Sequence, residues 1–127
     1  MTSHLTIPLL DDAKHLLVPL GIPLVEAPSE AKAQTAFMVK KGDVWAASSK
    51  DYDSLLFGAP RLLRYLTMYG REFYPSKGTS RALRPELMEL ERILTNHDIT
   101  RQQLIDIAIL IGTDFNQGIR GIGPRRH

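Results

Sequence analysis

Leu10, Ala13, Leu17 and Leu20 recur at helical spacing, with Leu16 beside them. That pattern predicts an amphipathic helix interrupted near Pro19 and Gly21. Ile22 to Val25 is a short apolar run that reads as a strand, with Pro23 confining it to an edge or a first position. Ser29 reads as the N-cap of a second helix whose buried stripe is Ala33, Ala36 and Phe37. Lys40 and Lys41 stand in its last turn and Gly42 closes it. Val44-Trp45-Ala46-Ala47 reads as a buried strand running into a polar loop over 48–53. Residues 61–66 read as another strand, and 69–83, with Gly70, Pro75 and Gly78, as a hairpin or loop. Pro85 is placed to open a third helix with Leu87, Leu90 and Leu94 on one face. Thr100 and Gln103 spell a capping box for a fourth, striped by Leu104, Ile107, Ala108 and Ile111 and ended by Gly112. Strands alternating with helices predict an α/β fold with a parallel sheet covered by helices.

The chain has 127 residues, enough for one core, and its 43% apolar share is ordinary for a globular protein. With no cysteine, thiolate zinc and iron–sulfur ligation are excluded. No apolar run approaches membrane-spanning length and no leader pattern is visible, so a soluble, cytoplasmic protein without a membrane partner is expected. The 16 basic and 14 acidic side chains are unevenly spread. Residues 61–84 carry six cations against Glu72 alone, 115–127 carry Arg120, Arg125 and Arg126 with no acid, and the rest is net acidic. A nucleic-acid enzyme needs both kinds of region, carboxylates for metal and cations for phosphate.

Four acids are candidates for chemistry. Glu30 falls in the first turn after Ser29, and Asp51 and Asp53 lie two apart in a loop leaving a strand. Asp114 follows the fourth helix in Gly112-Thr113-Asp114. An extended backbone turns residues two apart to one side, and ligands in open α/β sheets gather at the carboxyl ends of strands. Acids converging there attract a hard divalent cation, Mg²⁺ or Mn²⁺. Gly118-Ile119-Arg120-Gly121-Ile122-Gly123-Pro124 has the pattern of a helix-hairpin-helix turn, in which glycines admit a phosphate to backbone amides and Arg120, Arg125 and Arg126 add charge.

The stretches Gly21-Ile22-Pro23, Glu26-Ala27-Pro28-Ser29-Glu30-Ala31, Ser49-Lys50-Asp51-Tyr52-Asp53-Ser54-Leu55-Leu56-Phe57-Gly58 and Leu110-Ile111-Gly112-Thr113-Asp114-Phe115-Asn116 resemble flap endonucleases, the XPG-type structure-specific 5′ nucleases, and their archaeal members in particular. The resemblance runs collinearly from about Leu10 to Arg126. It implies a PIN-like fold, with an internal nuclease region over 1–114 and the start of a helix-hairpin-helix over 115–127. It also implies two-metal hydrolysis of phosphodiesters at 5′ flaps and single-strand/double-strand DNA junctions, in replication and repair. Glu30, Asp51, Asp53 and Asp114 match the family's acidic metal-site positions. Gly118, Arg120, Gly121 and Gly123, with Arg125 and Arg126, match a duplex-binding turn associated with K⁺.

Two departures qualify that expectation. The resemblance leaves the family's N-terminal region, with further metal-binding aspartates, and its C-terminal sliding-clamp peptide unmatched, and neither is expected within these 127 residues. We therefore expect the isolated chain to be inactive until an N-terminal partner, in cis or as a separate chain, completes it. The family also carries a metal-ligating glutamate where this chain has Lys32. A protonated lysine cannot ligate, and we expect it to neutralise part of the carboxylate set in place of metal. The alternative function is a non-catalytic DNA-binding or scaffold domain derived from a 5′ nuclease.

Overall fold

The computed structural model describes residues 6–123, and the chain falls into two compact units, residues 1–31 and 32–127. In the first unit, α1 covers Ile7–Leu17 with a proline in its first turn. A proline there sacrifices only an N–H that has no intrahelical partner. The helix stops where expected, one residue before Val18-Pro19, and none of its residues is buried. Lys14 pairs with Glu26 of the following stretch. Residues 22–27 form no strand, against the expectation from their apolar character. Pro23 removes one ladder donor, and apolar residues without a partner strand have no ladder to join.

The second unit begins within α2, Ala31–Lys41. This helix starts two residues after Ser29, so the position before it is Glu30. Its buried residues are Ala36 and Val39, whereas Phe37, expected inside, is 57% exposed. The strand expected at 44–47 shrinks to β1, Ala47–Ser48. Trp45 lies outside it, exposed, with the Arg61 guanidinium over its ring and the Arg61 Nε donating to its carbonyl at 2.7 Å. A short helix, α3 (Asp53–Leu56), then leads to β2 (Arg61–Arg64). The stretch between β1 and β2 serves as the crossover that a parallel pair requires, and Ala47 pairs with Leu62 and Ser48 with Leu63 in parallel.

The hairpin of β3 (Arg71–Tyr74) and β4 (Thr79–Ala82) forms a separate two-stranded sheet, joined by a 3₁₀ turn at Pro75–Lys77. The helix expected from Pro85 is corrected. Glu86–Glu89 is a strand, β5, paired antiparallel with β2, and α4 runs only over Leu90–His97. Leu87 and Met88 face opposite sides of a pleat, and Met88 takes the core side while Leu87 is largely exposed. A free edge of β2 gains a full ladder this way, which outweighs the helical spacing of three leucines. The three-stranded sheet, ordered β1-β2-β5, is therefore mixed rather than parallel.

Helix α5, Arg101–Ile111, carries the expected capping box. The Thr100 hydroxyl accepts from the Gln103 N–H and the Gln103 side chain accepts from the Thr100 N–H. No residue of α5 is fully buried; Leu104 packs against the core while Ile107 and Ile111 are largely exposed. That core gathers Ala36, Val39, Ala47, Leu55, Ala59, Leu62 and Leu90. Leu62, fully buried on the central strand, contributes about 2 kcal/mol through its side chain.

Candidate functional site

The acid-bearing loop leaves the carboxyl end of β1 within three residues, the placement that open sheets favour for ligands. Its convergence has a different origin from the one expected. Tyr52, between the two aspartates, is helical (φ −86°, ψ −5°) because it caps α3, so no extended Asp-x-Asp segment exists. The loop is instead held by its neighbours. The Asp51 N–H donates to Ser49 Oγ at 3.1 Å, and the Lys50 carbonyl accepts from Arg64 Nε at 3.0 Å. The same guanidinium lies 4.1 Å above the Tyr52 ring and 4.5 Å from that of Tyr65. It also donates to Glu86 at 3.3 Å and to the Tyr65 hydroxyl at 2.8 Å. Tyr65, nearly buried, holds a left-handed backbone (φ 58°), a conformation that a bulky residue keeps only when its surroundings impose it.

Asp114 arrives from the other end of the unit. After α5, residues 113–116 close a tight turn in which the Thr113 N–H donates to the Asn116 carbonyl at 2.9 Å. The Thr113 hydroxyl donates to Asn116 Oδ1 at 2.7 Å, and Asn116 Nδ2 donates back to the Ile109 carbonyl at 2.8 Å. Phe115 meets Phe57 edge-on at 6.4 Å, joining this turn to the end of α3. An apolar hollow of about 490 Å³ opens beside Asp53 and Asp114, walled by Leu56, Phe57, Ile105 and Phe115.

These supports bring three of the four candidate acids together, and Lys32 stands at their centre. Its Nζ lies 2.8 Å from Asp53 Oδ2, 3.1 Å from Asp51 Oδ2 and 3.9 Å from Asp114 Oδ2. The hydrogen bond to Asp53 holds the ammonium's pKa above the ordinary lysine value; burial opposes this, and the bond to Asp51 adds to it. A raised lysine pKa means that, wherever the aspartates are ionised, the pairing contributes in full below the ordinary lysine pKa and is lost as the pH rises through the folded-state value. The lysine side chain is the least exposed of the four, 27% against 34%, 59% and 80% for Asp53, Asp51 and Asp114. Glu30 belongs to the first unit, one residue before α2.

The donor set suits a hard divalent cation chemically but not in this arrangement. All three carboxylates turn an oxygen onto the ammonium, and among the described residues no group of three acid or histidine side chains is disposed to hold a metal ion. Lys32 was expected beside Glu30, Asp51 and Asp53; its ammonium meets Asp51 and Asp53, with Asp114 as a further partner.

The glycine-rich turn packs on the end of α5. The Ile119 N–H donates to the Leu110 carbonyl at 2.8 Å, and the Ile122 N–H to that of Ile119 at 3.1 Å. A Cβ on Gly118 would lie 2.5 Å from the Ile111 carbonyl atoms, so only glycine fits. Arg120, Gly121 and Gly123 are exposed beyond it, whereas Arg125 and Arg126 lie outside the described residues. Sequence reasoning missed Arg64, whose basic surroundings marked it only as part of a cationic stretch. Its position on β2 facing an acid loop is a tertiary fact.

A family model described as the XPG I-region matches residues 21–114. The chain belongs to this family. A flap endonuclease 1 of Staphylothermus marinus is 50% identical over 127 residues, spanning 99% of this chain and 36% of its own length. The solved flap endonuclease-1 from Methanococcus jannaschii superposes with a TM-score of 0.81 at 49% identity, over 95% of this chain and 35% of its own. The Holliday junction-resolving enzyme GEN1, solved in complex with product DNA and a Mg²⁺ ion, superposes at 0.66 with 29% identity, over 89% of this chain and 26% of its own. The XPG I-region chain thus has the PIN-like nuclease fold, realised here with a mixed sheet. It corresponds to the internal region of flap endonucleases and spans about a third of the length of the curated relatives it matches.

Proposed function

We propose that the chain supplies the internal, acid-bearing part of a structure-specific 5′ nuclease, acting on DNA flaps and junctions once the remainder of its relatives' length completes it. One observation carries the reading. Asp51, Asp53 and Asp114, from segments sixty residues apart in sequence, meet around a single point. The duplex-binding half of the proposal is the turn over 118–123. Three residues lie between Asp114 and Gly118, so the four chain steps reach at most about 14 Å. A duplex backbone gripped by the turn amides and Arg120 therefore passes within about four nucleotides of the acids, at about 3.4 Å per step. As arranged, the carboxylates are held by Lys32.

The test is a 5′-flap cleavage assay with the chain alone and with the N-terminal segment of the Staphylothermus marinus relative added, in Mg²⁺. The chain alone is expected to be inert and the mixture to cut. The association of K⁺ with the turn belongs to the same proposal and predicts tighter junction binding in K⁺ than in Na⁺ at equal ionic strength. A second reading, a junction-binding domain that no longer cuts, is favoured by the three ion pairs of Lys32. Junction binding without cleavage after complementation selects it.

A further inference from the structure

We propose that Lys32 is a tethered counter-ion: its ammonium, in place of a divalent cation, holds the loop of Asp51 and Asp53 to the turn of Asp114. The origin of the acid set rests on the nuclease reading; its consequence does not. Three carboxylates repel one another unless a positive charge joins them. An ammonium offers three donors in rotatable geometry, enough to serve several acids at once. Here two acids lie at hydrogen-bond distance and the third within ion-pair distance. The cation comes from α2, two acids from the segment entering α3 and one from the turn after α5, so one side chain links three parts of the unit.

Geometry makes lysine and metal alternatives. A divalent ion ligated by these oxygens sits about 2.0–2.6 Å from each of them. The ammonium nitrogen already lies 2.8 and 3.1 Å from two of the same atoms. Both cations would then occupy nearly one place, and like charges exclude each other there. Lys32 is also the inner partner and Asp114 the outer one, so an arriving ion meets carboxylates already partly neutralised from behind. The construction of this half of the site is thereby independent of metal.

The experiment uses the whole chain and Mn²⁺ alone, with binding read by the paramagnetic resonance of the free ion and unfolding by circular dichroism. Wild type is expected to show no saturable Mn²⁺ binding and the same melting temperature in EDTA as in Mn²⁺. Lys32→Ala is expected to bind Mn²⁺ at least about tenfold more tightly, about 1.4 kcal/mol, and to melt higher in Mn²⁺ than in EDTA. Lys32→Arg, which keeps the charge, is expected to behave as wild type. Equal Mn²⁺ affinity in wild type and Lys32→Ala, including no binding by either, overturns the inference, as does Lys32→Arg binding like Lys32→Ala. Should Lys32→Ala not fold, wild type decides alone: saturable Mn²⁺ binding that Asp53→Asn abolishes overturns the inference, and none supports it. Metal gained by Lys32→Ala with no cleavage by any complemented complex leaves this inference standing and removes the nuclease reading.

Discussion

Two structures grow from the end of α5, and they are held by different forces. The carboxylate cluster is made of side chains from distant segments and depends on one cation for its cohesion. The turn over 118–123 is made of main chain lying against main chain, where a Cβ on Gly118 has no room. The first is open to change through a single residue, Lys32, whose ammonium meets all three acids. The second tolerates no such exchange, because its shape is its interaction. A nuclease scaffold with both has a part where electrostatics is adjustable and a part where geometry is rigid.

The contrast can be broken from either side. The largest effect is expected from Gly118→Ala. It adds a left-handed penalty (φ +68°) to a 2.5 Å overlap with backbone, costing about 2–4 kcal/mol and lowering the melting temperature and junction binding together. Gly121→Ala, left-handed but with nothing within 4 Å, should cost only about 1 kcal/mol. Equal losses in the two variants would show that backbone packing is not what holds the turn. Next comes Arg64→Ala, which removes the donor to the Lys50 carbonyl, the stack on Tyr52 and the Glu86 ion pair, for about 2 kcal/mol in denaturant unfolding. Arg64→Lys should recover little of it, since an ammonium lacks the planar fork.

Thr100→Ala acts at the far end of α5 from both structures. It should cost about 1 kcal/mol through the lost cap while leaving junction binding unchanged, a control for general loosening of the helix. Asp114→Asn should be smallest. Its pairing with Lys32 is long and its carboxylate 80% exposed, so a stability change below about 1 kcal/mol is expected, vanishing in high salt. A larger, salt-insensitive loss would mean that Asp114 is held by more than charge.

Legibility in the sequence followed how local the determining interaction was. The capping box at Thr100 and Gln103 and the stop of α1 before Pro19 are decided by residues within a few positions of one another, and both were readable; 69–83 read as a hairpin or loop, and the β3–β4 ladder makes it the hairpin. The strand over Glu86–Glu89 was not, because its state depends on the open edge of β2, two dozen residues earlier. Phe37 and Trp45 were misplaced for a related reason: apolar character says what a residue prefers, not which face the core leaves available. Among the site residues, the acids were identified by motif and Lys32 by its departure from that motif. Arg64 carried no signal beyond its charge.

Residue types and their order pointed to a kind of chemistry: acids of the type a hard cation favours and a glycine turn of the type that admits a phosphate backbone, while the family resemblance marked a lysine where its members carry an acid. Spatial packing alone established that this lysine sits between the acids rather than in water. A charge has no direction along the chain; whether it neutralises, repels or merely dissolves depends on distances that only the folded arrangement of α2, the loop after β1 and the turn after α5 supplies.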